Sequence, residues 1–87
     1  MSTYKGQAIL LISGPGFHPE LDRVRKEMDA CLNPFSIEIK ETQSICLAGR
    51  IIIATHILCD PAHINAIEMD LRAALKSHAF DVAAESI

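Results

Sequence analysis

Between Ser36 and Cys59 the sequence reads as a hairpin, and no other feature limits the possible folds as much. On the first arm Ile37, Ile39, Ile45 and Leu47 share one parity, while Ser36, Glu38, Lys40, Thr42 and Ser44 share the other. Such period-2 alternation is expected of a strand with one face on a core and one in water. Ala48-Gly49 supplies a two-residue turn, the glycine taking the positive φ that such turns require. The return arm, Arg50 to Cys59, is β-branched and nearly all apolar on both parities, which places it at the centre of a sheet. A hairpin of this kind needs further strands and a covering layer to bury it.

The flanking segments supply both. Gln7 to Ser13 is an apolar run too short for a helix and is closed by Gly14-Pro15-Gly16, so a first strand is predicted there. Pro19 opens a helix with Glu20 and Asp22 in its positively polarised first turn. Leu21, Val24, Met28 and Cys31/Leu32 follow at helical spacing until Asn33-Pro34 stops it. Asp60-Pro61 starts a second helix whose apolar face is Ile64, Ile67, Leu71, Ala74/Leu75 and His78. Phe80, Val82 and Ala84 then alternate with Asp81, Ala83 and Glu85 in a last strand. With right-handed crossovers this order predicts an α+β, ferredoxin-like βαββαβ sandwich, a four-stranded antiparallel sheet with two helices on one face. The expected core is Leu10, Ile12, Leu21, Val24, Met28, Ile37, Ile39, Ile51, Ile53, Ile57, Ile64, Ile67, Leu71, Leu75, Phe80 and Val82.

With 87 residues the chain is one domain, 1–87, and a chain of that size buries only about 60–65% of its unfolded surface. Little is left for an elaborate cleft. Apolar residues at 49% and charged residues at 22% exclude intrinsic disorder. Eight Lys+Arg against 11 Asp+Glu give a net charge of −3 with no basic run, so neither nucleic acid nor an anionic membrane is an expected partner. Ala8 to Ile12, the longest apolar stretch near the N-terminus, is far short of the ~20 residues of a membrane span, and no small-residue cleavage site follows it. A cytoplasmic location is expected. Cys31, Cys46 and Cys59 form no Cys-x-x-Cys pair and read as reduced thiols, and His63 and His78 are too far apart to share a metal. No cofactor is expected, and no nucleophile–base pair or paired carboxylate set points to an enzyme.

Because the ferredoxin-like superfold serves acyl phosphatases, metal chaperones, RNA-recognition modules and small-molecule sensors, the sites must decide. An acyl phosphatase needs an arginine in the loop after its first strand, and a metal chaperone needs paired thiols there. Gly14 to His18 contains neither. An RNA-recognition module stacks bases on aromatics of its central strands, whereas Tyr4, Phe17, Phe35 and Phe80 lie outside them. The amides of the Gly14 to His18 turn, at a helix N-terminus, attract a carboxylate. Gly14, Gly16, Phe17, His18 and Glu20 are therefore the candidate ligand-binding residues, with a plain strand-to-helix turn as the alternative. Opposite the helices, Ile9, Leu11, Ile52, Ala54, His56 and Leu58 form an apolar patch around one histidine, expected to contact a second copy or a catalytic domain. Cys46, on the polar parity and without a basic neighbour in sequence, reads as an inert thiol.

The segments Ala8-Ile9-Leu10-Leu11-Ile12-Ser13-Gly14, Ile45-Cys46-Leu47-Ala48-Gly49-Arg50 and Phe80-Asp81-Val82 resemble those of an ACT domain, most of all the N-terminal ACT domain of bacterial phosphoserine phosphatases. The resemblance covers nearly the whole chain. It implies an amino-acid-sensing regulatory module of serine biosynthesis that pairs with another copy and binds serine or glycine where the first strand meets the first helix. The family's run Gly-x-Asp-x-Pro-Gly is here Gly14-Pro15-Gly16-Phe17-His18-Pro19-Glu20: the proline remains, the acid before it is missing and Glu20 replaces the glycine. The phosphatase's Asp-x-Asp-x-Thr or -Val motif is absent, so the chain corresponds to the sensor part. A ligand carboxylate is expected on the amides around Gly14 to Phe17, with its ammonium at Glu20. The alternative is a module of the same fold that pairs without a ligand.

Overall fold

In a computed structural model, which describes residues 6–87, apolar alternation becomes a sheet with one covered face; Tyr4 lies outside the described residues. The elements are β1 (Gly6–Pro15), α1 (His18–Leu32), β2 (Glu38–Leu47), β3 (Arg50–Cys59), a 3₁₀ turn (Pro61–His63), α2 (Ile64–Leu75), a second 3₁₀ turn (Lys76–His78) and β4 (Asp81–Ser86). The strands pair antiparallel in the order β2-β3-β1-β4, so the doubly apolar β3 occupies a central place, as its sequence requires. The fold is the expected ferredoxin-like sandwich.

Ala8, Leu10 and Ile12 on β1 and Ile51, Ile53 and Ile57 on β3 are fully buried, on the same face as the apolar stripes Val24-Met28-Leu32 of α1 and Ile67-Leu71-Leu75 of α2. Phe80 and Val82 close the core, and Leu21, Ile37 and Ile64 pack half-buried against it. Thr55 is the one buried polar residue among those described; its hydroxyl lies 3.6 Å from Met28 Sδ and accepts from Thr42 Oγ1 at 3.4 Å.

One expectation fails on β2. Ile39 is 45% exposed, and Ile45 and Leu47 do not share its face. The register slips between Ile39, opposite Ile57, and Glu41, opposite the adjacent His56, so Lys40 is the extra residue of a β-bulge. Past the bulge the parity inverts. Thr42, Ser44 and Cys46 turn to the helix side opposite Thr55, Ile53 and Ile51, while Ile45 and Leu47 turn to the open face. Ile39 keeps its side but lies beyond the cover of α1, where it lines a cleft instead of entering the core.

The ends of the second helix show how local chemistry sets its limits. Asp60 caps the start, its Oδ1 accepting from Ala62 N at 3.0 Å, and Pro61 follows. At the far end Phe80 N donates to Leu75 O at 3.5 Å and Ala79 N to Lys76 O at 3.1 Å, with Ala79 left-handed at φ 59°. This is a Schellman closure with alanine where glycine is usual. Ala79→Gly is expected to stabilise the fold by about 0.5–1 kcal/mol through relief of the left-handed penalty. A urea midpoint that rises checks this; one that falls contradicts the left-handed assignment.

Side chains from α2 also cover the outer edge of β4: Arg72 Nη2 donates to Val82 O at 2.8 Å, and Glu68 Oε2 accepts from Ala84 N at 2.7 Å. That edge is thereby blocked to strand addition.

Candidate functional site at the β1–α1 turn

The turn is drawn against the β2–β3 hairpin because Pro15 on β1 pairs with Arg50 at the start of β3. Gly16 N donates to Gly49 O at 2.8 Å, and Cys46 Sγ lies 3.8 Å from Gly16 O. Ala48 and Gly49 both take positive φ, 52° and 74°, which turns the hairpin tightly enough to present that carbonyl. Phe17, 63% exposed, lays its ring beside Gly49, where a Cβ would lie 3.4 Å from Phe17 Cζ.

Both glycines of the turn are required by close packing. A Cβ on Gly14 would meet the Phe80 ring at 2.6 Å. Gly16 has φ +150°, and a Cβ there would meet Ile51 Cδ1 at 2.6 Å and Glu20 Cβ at 2.9 Å. Glu20 folds back over the turn, and its Oε2 accepts from Phe17 N at 3.2 Å. It therefore supplies half of a capping box, the acidic residue reaching back to the amide that precedes the helix. His18 begins α1 and is exposed.

The structure thus brings Gly16, Phe17 and Glu20 together and adds Cys46, Gly49 and Ile51, which the sequence reading did not place there. Gly14 contributes as the floor under Phe80. Chemically, Phe17 N–H stands at a helix N-terminus with a carboxylate already on it, so the position accepts an anion and its occupant is the protein's own Glu20.

On the opposite face of the sheet Ile9, Leu11, Ile52, Ala54, His56 and Leu58 share one surface, joined by Ile45 and Leu47 because of the bulge. Leu11, Ile52, Ile45 and Leu47 are 38%, 42%, 54% and 67% exposed. His56 Nε2 lies 2.9 Å from Gln7 Oε1 on this face. Beside it Ile9, Glu41, Gln43, Ala54 and His56 line a hollow of about 130 Å³.

A larger cleft of about 530 Å³ lies at the other end of α1, lined by Asp29, Leu32, Asn33, Phe35, Ser36, Ile37 and Ile39. Its lining includes no Lys, Arg or His. His63 tilts against the Phe35 ring with centroids 5.9 Å apart, and His78 Nε2 lies 3.2 Å from Glu27 Oε1, so these histidines serve separate local contacts.

Among the described residues no group of three or more His, Cys, Asp or Glu is placed to hold a metal. No helix is long and apolar enough to cross a membrane. Burial, reinforced by Asp70 and Glu27, pushes the Cys31 thiol up. Burial together with Asp60 does the same for Cys59. Both stay protonated at neutral pH and are poor nucleophiles. Cys46 is half-buried against the core.

The sequence matches no protein-family model and no curated protein. Solved structures do resemble it. An unknown protein from Galdieria sulphuraria superposes with TM-score 0.77 at 13% identity, over 94% of this chain and 44% of that one. A protein provisionally described as a glycine cleavage system transcriptional repressor gives 0.70 at 11% identity, over 94% of this chain and 46% of that one. An ACT domain protein from Streptococcus pneumoniae gives 0.69 at 12% identity, over 93% of this chain and 89% of that one. The chain thus spans less than half the length of the first two. At such identities the likeness is one of architecture: a ferredoxin-like fold that this chain shares with the ACT domain protein.

Proposed function

We propose that the chain is a small regulatory domain that senses an amino acid at the β1–α1 turn, without catalysis of its own. The observation that carries this reading is the carboxylate of Glu20 on the Phe17 amide at the N-terminus of α1. A zwitterion can exchange with it: the ligand carboxylate takes Phe17 N–H, and Glu20, released, meets the ligand ammonium. The fold supports the reading, and serine and glycine are the first ligands to test, given the resemblance to the ACT domain of phosphoserine phosphatases and the glycine cleavage repressor among the similar structures. On this view the chain is the sensor attached to, or derived from, a phosphatase of serine biosynthesis. Three unpaired thiols suit a reducing, cytoplasmic setting.

Calorimetric titration with serine and glycine tests the exchange. A saturable heat is expected for the wild type, with affinity weakened roughly tenfold in Glu20→Ala as the ammonium loses its partner. Unchanged affinity in Glu20→Ala removes Glu20 from the site.

A second reading rests on a specific observation. Gly16 N and Phe17 N are both satisfied internally, by Gly49 O and by Glu20, as in a turn that only terminates a strand and caps a helix. If neither amino acid binds, the chain is a pairing module that works without a ligand.

A further inference from the structure

The helix-free face of the sheet is apolar at its centre and charged asymmetrically at its ends. Strand register puts Arg50 at one end, and at the other Glu41 opposite His56 on β3 and Glu85 on β4, level with Ile9. Among the described residues Arg50 makes no ion pair, and the hollow of about 130 Å³ beside Glu41 holds no side chain of its own domain.

We propose that this face binds a second copy of the chain in a two-fold stack with the strands reversed, each Arg50 entering the other copy's hollow beside Glu41. With the two-fold axis between Ile52 and Ala54 of β3, reversal sets Arg50 over the other copy's His56, beside Glu41 on the adjacent β2, and the large Ile52 over the small Ala54. The other two-fold stack, with strands in the same sense, sets Glu41 against Glu85, a like-charge contact that disfavours it. Four strands at ~4.8 Å spacing and ten residues at ~3.4 Å give a face on the order of 600 Å². That approaches the roughly 800 Å² per partner of a standard interface. The contact is isologous and closes at two copies. It does not depend on ligand binding at the β1–α1 turn, and titrating an Ile52→Lys monomer with serine reads that sensing separately.

Sedimentation equilibrium of the full chain over a concentration series is the test. The wild type is expected to dimerise. Arg50→Glu and Glu41→Arg should each weaken association roughly tenfold or more, and the double variant should recover most of it. Both positions are exposed, so unchanged circular dichroism confirms folding, and Ile52→Lys should give a folded monomer. A monomeric wild type overturns the proposal and leaves the face to a different protein. A dimer that survives Ile52→Lys overturns it in favour of side-by-side pairing through the β2 edge, and a double variant no better than the singles overturns the Arg50–Glu41 contact.

Discussion

Ile53→Ala should lower stability by roughly 2–5 kcal/mol, the cost of lost transfer energy plus the cavity left behind. Ile53 is fully buried in β3, with Ile12 and Ser44 as its cross-strand neighbours. The adjacent Ile52 faces the other way and is 42% exposed. Ile52→Ala in the dilute monomer should therefore cost less than about 1 kcal/mol. The contrast between consecutive isoleucines, read as urea midpoints, tests the register of β3 directly. Equal losses at the two positions would contradict it.

Gly14→Ala should cost about 1–3 kcal/mol although it adds a single methyl group. Its Cβ would stand 2.6 Å from the Phe80 ring, which is only 7% exposed and has core on its other side. Overpacking of that kind moves backbone or forces a side chain off its rotamer. Chemical denaturation of Gly14→Ala, with Phe80→Leu combined as partial relief, measures the contact. Wild-type stability in Gly14→Ala would mean that Phe80 does not rest on this glycine.

Much of the fold was legible because several signals agreed. The apolar return arm required neighbours on both sides, and β3 has β2 and β1. Asp60-Pro61 announced a helix start that the Asp60 side chain completes. The bulge at Lys40 was not legible, because its residue type is ordinary for an exposed edge position. What hinted at it was the small size of Thr42, Ser44 and Cys46, which suits residues on the helix side of the sheet.

The site was half legible for a related reason. The three-residue spacing from Phe17 to Glu20 is that of a capping box and is local, so the carboxylate-on-amide contact follows from sequence. The bond from Gly16 to Gly49 and the approach of Cys46 depend on how Pro15 and Arg50 register across the sheet, which no local pattern encodes.

On the proposed function, the Phe17 amide exchanges Glu20 for a ligand carboxylate. The most direct measurement is an amide-resolved ¹H–¹⁵N spectrum of the full chain titrated with glycine and with serine. Saturable shifts confined to Gly16, Phe17 and the first turn of α1 are the predicted result. Shifts confined to the cleft around Asp29, Asn33 and Ile37, or none with either amino acid, would contradict it.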